Sequence, residues 1–134
     1  MTATAPQTRV LVVDDEPLLL RAVRRMLERD GYEVSSFSNG ADALAELDRE
    51  AQKPYSLILC DLRMPGSDGR WVYSRLEERH PDLLDRLVFI TGDADVTERR
   101  EFLASSGCAV LVKPFTGHQL SKLVETVLEK RRRY

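Results

Sequence analysis

The 134-residue sequence has only two cysteines, no long apolar run and little net charge. Cys60 and Cys108 stand 48 positions apart without a CxxC or Cys/His cluster, which excludes a disulfide-based scaffold and a structural zinc site. The apolar runs, such as Val10–Val13 and Val88–Ile90, fall far short of the roughly 20 residues that cross a bilayer. A formal net charge of −2 gives no electrostatic reason to expect binding to nucleic acid or membrane.

The composition and the first residues are typical of a soluble protein. The apolar fraction is 43% and the charged fraction 31%, which suits a globular domain. Residues 1–9 lack the basic start and apolar centre of a secretory signal, so we expect a cytoplasmic protein. We predict a flexible leader over residues 1–8, one domain over residues 9–131 and a C-terminal tail over residues 132–134, forming a monomer or weak dimer.

Five short apolar runs alternate with five segments of helical periodicity. The predicted strands are Val10–Val13, Glu33–Phe37, Ser56–Cys60, Leu87–Ile90 and Ala109–Val112. Three of them are continuously apolar, as is typical of parallel strands covered on both faces, whereas the second alternates and suits an edge. The alternation predicts an α/β fold, in which right-handed crossovers place helices on both faces of a single five-stranded parallel sheet.

The predicted helices begin and end at characteristic residues. They cover Pro17 to Gly31, Gly40 to Arg49, Asp68 to Arg79, Val96 to Ser105 and the segment after Thr116. Pro17 suits a first helical turn, and Gly31 and Gly107 suit helix ends. Thr116 and Gln119 have the spacing of a capping box, which predicts the start of the last helix.

Polar side chains follow four of the predicted strands, at the edge of the sheet where ligands of such folds bind. They are Asp14, Asp15 and Glu16 after the first strand, Asp61 after the third, Thr91 after the fourth and Lys113 after the fifth. Three clustered carboxylates repel one another, and a hard cation such as Mg²⁺ would balance them. A phosphoryl group could then contact the cation, the Lys113 ammonium and the Thr91 hydroxyl, with Asp61 as the nucleophile because Asp14 and Asp15 form the metal-holding pair.

Each of these residues also has a plainer interpretation. Acidic residues after a strand often cap the next helix, which we favour for Glu16 but not for Asp14, Asp15 and Asp61 together. Taken alone, Thr91 reads as an ordinary turn hydroxyl. Lys113 before Pro114 is weak evidence by itself, because proline merely imposes an extended residue before it.

Four segments, in order along the chain, resemble the receiver domain of two-component response regulators and hybrid histidine kinases. They are Val12–Pro17 (VVDDEP), Cys60–Gly69 (CDLRMPGSDG), Thr91-Gly92 and Lys113–Phe115 (KPF). The 30 residues from Asp61 to Thr91 and the 22 from Thr91 to Lys113 also fit that family. The resemblance covers about residues 9 to 131. It implies a flavodoxin-like (βα)5 fold with strand order 2-1-3-4-5.

The resemblance also implies a role for each site residue. Asp61 would accept a phosphoryl group from a phosphohistidine on a sensor histidine kinase or a histidine phosphotransfer protein, and so switch binding to a downstream protein that the sequence does not identify. The resemblance implies that Mg²⁺ or Mn²⁺ is held by Asp14, Asp15, Asp61 and the backbone carbonyl of Arg63. Thr91 and Lys113 would contact the phosphate. Such a module is a phosphoacceptor rather than an enzyme.

Four further positions are expected to modulate the reaction. Gly92, which has no side chain, would leave the phosphate accessible. Arg63 and Asp93 occupy positions that tune phosphate lifetime in the family, and our hypothesis is that they pair across the pocket mouth and slow the entry of water. Val110 stands where the family usually carries Tyr or Phe, which puts the usual coupling between the threonine and an aromatic ring in doubt here.

Three alternatives remain open at this point. An aspartyl-phosphate hydrolase resembling the haloacid-dehalogenase phosphatases needs a second acid two residues after its nucleophile, where this chain has Arg63. A flavodoxin-like cofactor binder would not place acidic residues after the first strand, because they repel phosphate. The third alternative is a receiver fold that binds partners without phosphorylation.

Overall fold

The computed structural model describes residues 8–49, 55–92, 97 and 99–132, with no side-chain description for 131 and 132. The strands are β1 (Arg9–Val13), β2 (Glu33–Phe37), β3 (Leu57–Asp61), β4 (Leu87–Gly92) and β5 (Ala109–Lys113). The helices are α1 (Pro17–Arg29), α2 (Gly40–Arg49), α3 (Gly69–Arg79), a 3₁₀ helix (Pro81–Arg86), α4 (Arg100–Ser106) and α5 (Gly117–Arg132). All strand pairs are parallel and the order is β2-β1-β3-β4-β5, which confirms the predicted fold class.

The sheet buries a separate apolar cluster on each face, because successive strand residues point to opposite sides. On one face, Val10 and Val12 of β1 pack with residues of α1 and α5. On the other, Leu11 and Val13 pack with residues of α2, α3 and α4. Burial on both faces explains why the central strands read as continuous apolar runs. The alternating strand β2 lies at the edge, as predicted.

Three strands extend further than the apolar pattern indicates. The parallel ladder continues through polar residues, so that Asp61 pairs with Ile90, and Thr91 with Val112. Asp61, Thr91 and Lys113 therefore belong to the last residues of their strands rather than to the loops after them. Their backbones are held by the sheet, which fixes the side chains more firmly than a loop would.

The predicted helix signals are largely confirmed. The backbone N–H of Gln119 donates to Thr116 Oγ1 at 3.1 Å, and the N–H of Thr116 donates to Gln119 Oε1 at 2.8 Å, forming the capping box. Gly31 and Gly107 have φ of 96° and 70°, the left-handed backbone conformation that is typical of a glycine ending a helix. In the fourth predicted helix, Thr97 is helical and the described helix runs from Arg100 to Ser106, whereas residues 93–96 and 98 lie outside the described residues, so a start at Val96 stays a prediction. The 3₁₀ helix was not predicted.

Candidate functional site

Three carboxylates meet at the carboxyl edge of the two central strands. Asp14 and Asp15 follow β1, and Asp61 ends β3, whose residue Cys60 pairs with Val13. One oxygen from each of the three lies within 4.8 Å of the others. Asp14 and Asp61 are buried, whereas Asp15 is exposed. The strand order therefore brings together the three acids that sequence analysis selected.

Asp14 carries the strongest sign that this cluster suits a cation. Its Oδ1 accepts a hydrogen bond from the Glu16 N–H at 2.9 Å, but its buried Oδ2 has no hydrogen-bond partner among the described residues. Burial, with help from the charge of Asp61, raises the pKa of Asp14 to about 6, although the Glu16 amide and Lys113 oppose the shift. Carboxylate oxygens are the ligands that hard divalent cations prefer, so the triad can hold a metal ion.

Lys113 is the cation already present in the cluster. Its Nζ donates to Asp61 Oδ2 at 3.0 Å and lies 3.4 Å from Glu16 Oε1 and 3.9 Å from Asp14 Oδ2. Burial acts to lower the pKa of Lys113, but the hydrogen bond and charge of Asp61 and the charges of Asp14 and Glu16 raise it on balance. The ammonium therefore stays charged and faces the Asp61 carboxylate.

Glu16 differs from its predicted role. It stands at the N-cap position of α1, yet its side chain makes no capping hydrogen bond within the part of the chain that is described. It accepts instead from Lys113, which is 97 residues away in sequence. The prediction that this side chain caps α1 was wrong, because the Glu16 carboxylate pairs with the Lys113 ammonium instead.

Thr91 and Gly92 lie beside the cluster at the end of β4. Thr91 is buried, and its hydroxyl donates to the Gly92 carbonyl oxygen at 3.4 Å. It follows directly after Ile90, the residue paired with Asp61. A Cβ placed on Gly92 would meet no described atom within 4 Å, so the space beside it is open.

The other predicted positions are Arg63, Val110 and Asp93. Arg63 is exposed, and its backbone N–H donates to Asp61 Oδ1 at 3.1 Å. Val110 is half-buried on β5, opposite Phe89, and packs against the cluster beneath α2, α3 and α4. Asp93 lies outside the described residues, so its pairing with Arg63 stays a prediction.

Sequence analysis did not select Ser67, which lies in the loop between β3 and α3. Its Oγ accepts hydrogen bonds from the backbone N–H groups of Gly40 and Ala41 at 2.9 and 3.1 Å. Those partners are 27 and 26 residues away, and no local pattern links them to a serine.

The chain belongs to the response regulator receiver domain family, whose model matches residues 10–125. It is 38% identical over 120 residues to the response regulator receiver protein CpdR of Brucella abortus, covering 90% of this chain and 96% of that protein. It is also 31% identical to the transcriptional regulatory protein ResD of Bacillus subtilis and 35% identical to the sensor histidine kinase GacS of Pseudomonas protegens. In each case the match covers 92% of this chain, but only 49% and 13% of those longer proteins.

Solved structures show the same architecture. The receiver domain of NtrX from Brucella abortus is 27% identical with a TM-score of 0.75, the match covering 90% of this chain and 98% of that one. A receiver domain protein from Clostridium thermocellum, 22% identical, has a TM-score of 0.81 and supports the fold alone, over 93% of this chain and 97% of that one.

Family membership and the acidic triad together define the class of activity. The chain is a phosphoacceptor signalling module of two-component systems rather than a classical enzyme, and Asp14, Asp15 and Asp61 are consistent with phospho-aspartate signalling. A receiver domain implies a cognate histidine kinase. No helix in the described ranges has the length and apolar character needed to span a membrane.

Proposed function

We propose that Asp61 accepts a phosphoryl group from a phosphohistidine of a sensor histidine kinase or histidine phosphotransfer protein. The observation that carries the proposal is the position of the Asp61 carboxylate, 3.0 Å from Lys113 Nζ and in one cluster with Asp14 and Asp15. An Asp61 oxygen forms the new P–O bond while the P–N bond to the imidazole breaks, and the electron pair of that bond returns to the ring.

The chain's own residues bind and orient the phosphoryl group in this proposal. Asp14, Asp15, Asp61 and the Arg63 carbonyl would hold Mg²⁺ or Mn²⁺, which would supply positive charge against the phosphoryl oxygens. The Lys113 ammonium donates to a second oxygen. The Thr91 hydroxyl turns from the Gly92 carbonyl to a third, and the open space at Gly92 admits the donor.

Phosphorylation then switches binding to a downstream protein, in the cytoplasm and without contact to nucleic acid or membrane. The receiver domain spans residues 9–131 and acts as a monomer or weak dimer. Residues 1–7 of the predicted leader and residues 133 and 134 of the predicted tail lie outside the described residues. Arg63 and Asp93 lengthen the lifetime of the phosphate by pairing across the pocket mouth.

The half-buried Val110 cannot swing inward as a large ring does, so we propose that β4 and β5 transmit the change differently from relatives that carry an aromatic residue there.

The experiment is intact-mass spectrometry after incubation with Mg²⁺ and acetyl phosphate. We expect a single phosphate on the wild type, and none on Asp61→Asn or in a sample treated with EDTA. Asp82→Asn, in the 3₁₀ helix and remote in sequence from the cluster, is the matched control and keeps the adduct. An adduct that persists in Asp61→Asn would contradict the assignment. A wild type that neither forms the adduct nor binds beryllofluoride would support a phosphorylation-independent interaction module instead.

A further inference from the structure

We propose that Ser67 is a positioning residue for phosphorylation, because its hydroxyl fastens the loop that carries Arg63 to the first turn of α2. The inference rests on the proposed role of Asp61 and adds a residue that acts on the site through the backbone. Ser67 does not touch the carboxylates. It holds the exposed part of the loop that follows Asp61.

Ser67 provides the acceptor for the first two N–H groups of α2. A helix leaves its first four N–H groups without partners inside the helix. Here the first two donate to Ser67 Oγ, the third donates to Asn39 Oδ1 at 2.8 Å and the fourth donates to the Asn39 carbonyl at 3.3 Å. The four donors are Gly40, Ala41, Asp42 and Ala43. A residue from another loop therefore shares the cap with the local residue.

The contact needs glycine at position 40. A Cβ there would lie 2.5 Å from the Ser67 carbonyl oxygen and 2.8 Å from Val72 Cγ2, both shorter than real contacts. Loop and helix backbones thus approach as closely as they do only because Gly40 has no side chain. The steric observation and the two hydrogen bonds indicate the same tight junction independently.

The loop is anchored at its other end to strand β4 and to the Asp61 carboxylate. The N–H of Leu62 donates to the Ile90 carbonyl at 2.9 Å, and the N–H of Arg63 donates to Asp61 Oδ1 at 3.1 Å. Between these bonds and Ser67, the chain passes through Met64, which is buried in the core, and then through exposed Pro65 and Gly66, the latter with φ of 78°. Loss of the Ser67 hydroxyl releases Pro65 and Gly66, and we expect the Arg63 carbonyl to shift with them.

The same helix start also adjoins the other half of the acidic site. Asn39 follows β2, whose last residue, Phe37, accepts a hydrogen bond through its carbonyl from the Asp14 N–H at 3.0 Å. The start of α2 is therefore connected to Asp14 through the end of β2, and to the loop that follows Asp61 through Ser67.

The test compares Ser67→Ala, Ser67→Thr and Asn39→Ala with the wild type. Asn39→Ala is the matched control, because it removes a cap from the same helix without releasing the loop. Two quantities are measured at matched temperature: the Kd for Mg²⁺ by calorimetric titration and the rate of phosphorylation by acetyl phosphate. We expect Ser67→Ala to weaken Mg²⁺ binding by up to about tenfold, the lower end of the effect of a direct partner of a metal ligand, because Ser67 supports the Arg63 carbonyl only through the backbone. We also expect it to slow phosphorylation. Ser67→Thr keeps the hydroxyl, so its Kd for Mg²⁺ and its phosphorylation rate should stay close to those of the wild type.

The two proposals fail separately in this design. If Ser67→Ala and Asn39→Ala behave alike in both measurements, Ser67 is merely a helix cap and the inference is overturned. If the wild type takes no phosphate, the role of Asp61 fails, and the Mg²⁺ titrations of the same variants still decide whether Ser67 positions the loop. A Ser67→Thr variant as weak as Ser67→Ala would also contradict a role for the hydroxyl.

Discussion

A buried tyrosine and a glutamate form a polar pair away from the acidic cluster. Tyr55 lies just before β3, and its hydroxyl donates to Glu46 Oε2 at 2.6 Å, while Ser35 Oγ lies 2.9 Å from the same phenolic oxygen. The guanidinium of Arg9 lies 4.2 Å above the ring. The hydrogen bond from Tyr55, supported by Arg49, outweighs burial and holds the pKa of Glu46 below its usual 4.5. Burial and the same hydrogen bond raise the pKa of Tyr55.

This pair predicts a pH-dependent stability difference for Glu46→Gln. Because the pKa of Glu46 is lower in the folded than in the unfolded protein, the ionised side chain stabilises the fold at any pH above its unfolded-state pKa. This contribution is lost as the pH falls through the folded-state pKa. We expect Glu46→Gln to lower the free energy of unfolding by about 1–2 kcal/mol near neutral pH. The difference in unfolding free energy between Glu46→Gln and the wild type should become smaller as the pH falls below 4.5. Urea unfolding measures it, with the exposed Glu77→Gln as control. A pH-independent loss would show that the carboxylate charge is irrelevant.

Individual residues show how far sequence reasoning reaches. Asp14, Asp15, Asp61 and Lys113 could be selected because each ends or follows an apolar strand, and the ends of parallel strands share an edge. The contact of Glu16 with Lys113 and the bonds of Ser67 join residues distant in sequence. Their partners are set by tertiary packing, which no local pattern encodes.

At the scale of elements, the junction of β3 and α3 depends on Gly69. A Cβ at this position would lie 2.8 Å from Leu62 Cα and 3.0 Å from the Asp61 carbonyl oxygen, which are backbone atoms that cannot rotate away. We expect Gly69→Ala to destabilise the protein by about 1–3 kcal/mol through overpacking and to slow phosphorylation by displacing Asp61. Thermal unfolding and acetyl phosphate kinetics measure the two effects.

Gly92→Ala is the matched control for that variant. Gly92 also lies beside the site, but a Cβ there meets open space among the described residues. The unfolding free energy of Gly92→Ala should therefore stay close to that of wild type. Equal destabilisation by both substitutions would show that loss of glycine, rather than the contact with the Asp61 backbone, is responsible.

Element boundaries followed from the sequence where a physical signal was local. The capping box of Thr116 and Gln119 and the glycines that end α1 and α4 act within a few residues, and all were predicted. The ends of β3, β4 and β5 were predicted one or two residues short, because Asp61, Thr91 and Lys113 look like loop residues yet pair in the ladder. The 3₁₀ helix Pro81–Arg86 is too short to show a helical period.

For the whole molecule, the decisive feature is that β1 and β3 are neighbours. Alternating strands and helices predicted a parallel sheet with two covered faces, and the two apolar clusters confirm it. The order of the strands followed only from the resemblance to receiver domains, because periodicity carries no information on which strands pair. That order is what places Asp14 beside Asp61, so the site is a property of the topology.

This placement makes the stability of the whole chain depend on what balances its acids. Asp14 is buried, its Oδ2 has no hydrogen-bond partner among described atoms, and Asp61 lies next to it. In the absence of metal, the neutral amide of Asp14→Asn removes this repulsion. We therefore expect it to raise the free energy of unfolding near neutral pH by about 1–3 kcal/mol, the scale set by the raised pKa of Asp14.

Added Mg²⁺ should make the wild type more stable than Asp14→Asn. A ligand that binds only the folded state raises the melting temperature by mass action, so wild type should gain stability as Mg²⁺ is added while Asp14→Asn does not. Asp15→Asn is the matched control. Because Asp15 is exposed, this variant should lose the response to Mg²⁺ but should not gain unfolding free energy in the absence of metal. Thermal melts in EDTA and across a Mg²⁺ series measure both effects. An Asp14→Asn variant less stable than wild type in EDTA would mean that Lys113 already balances the buried acids, because its ammonium lies 3.0 Å from Asp61 and 3.9 Å from Asp14.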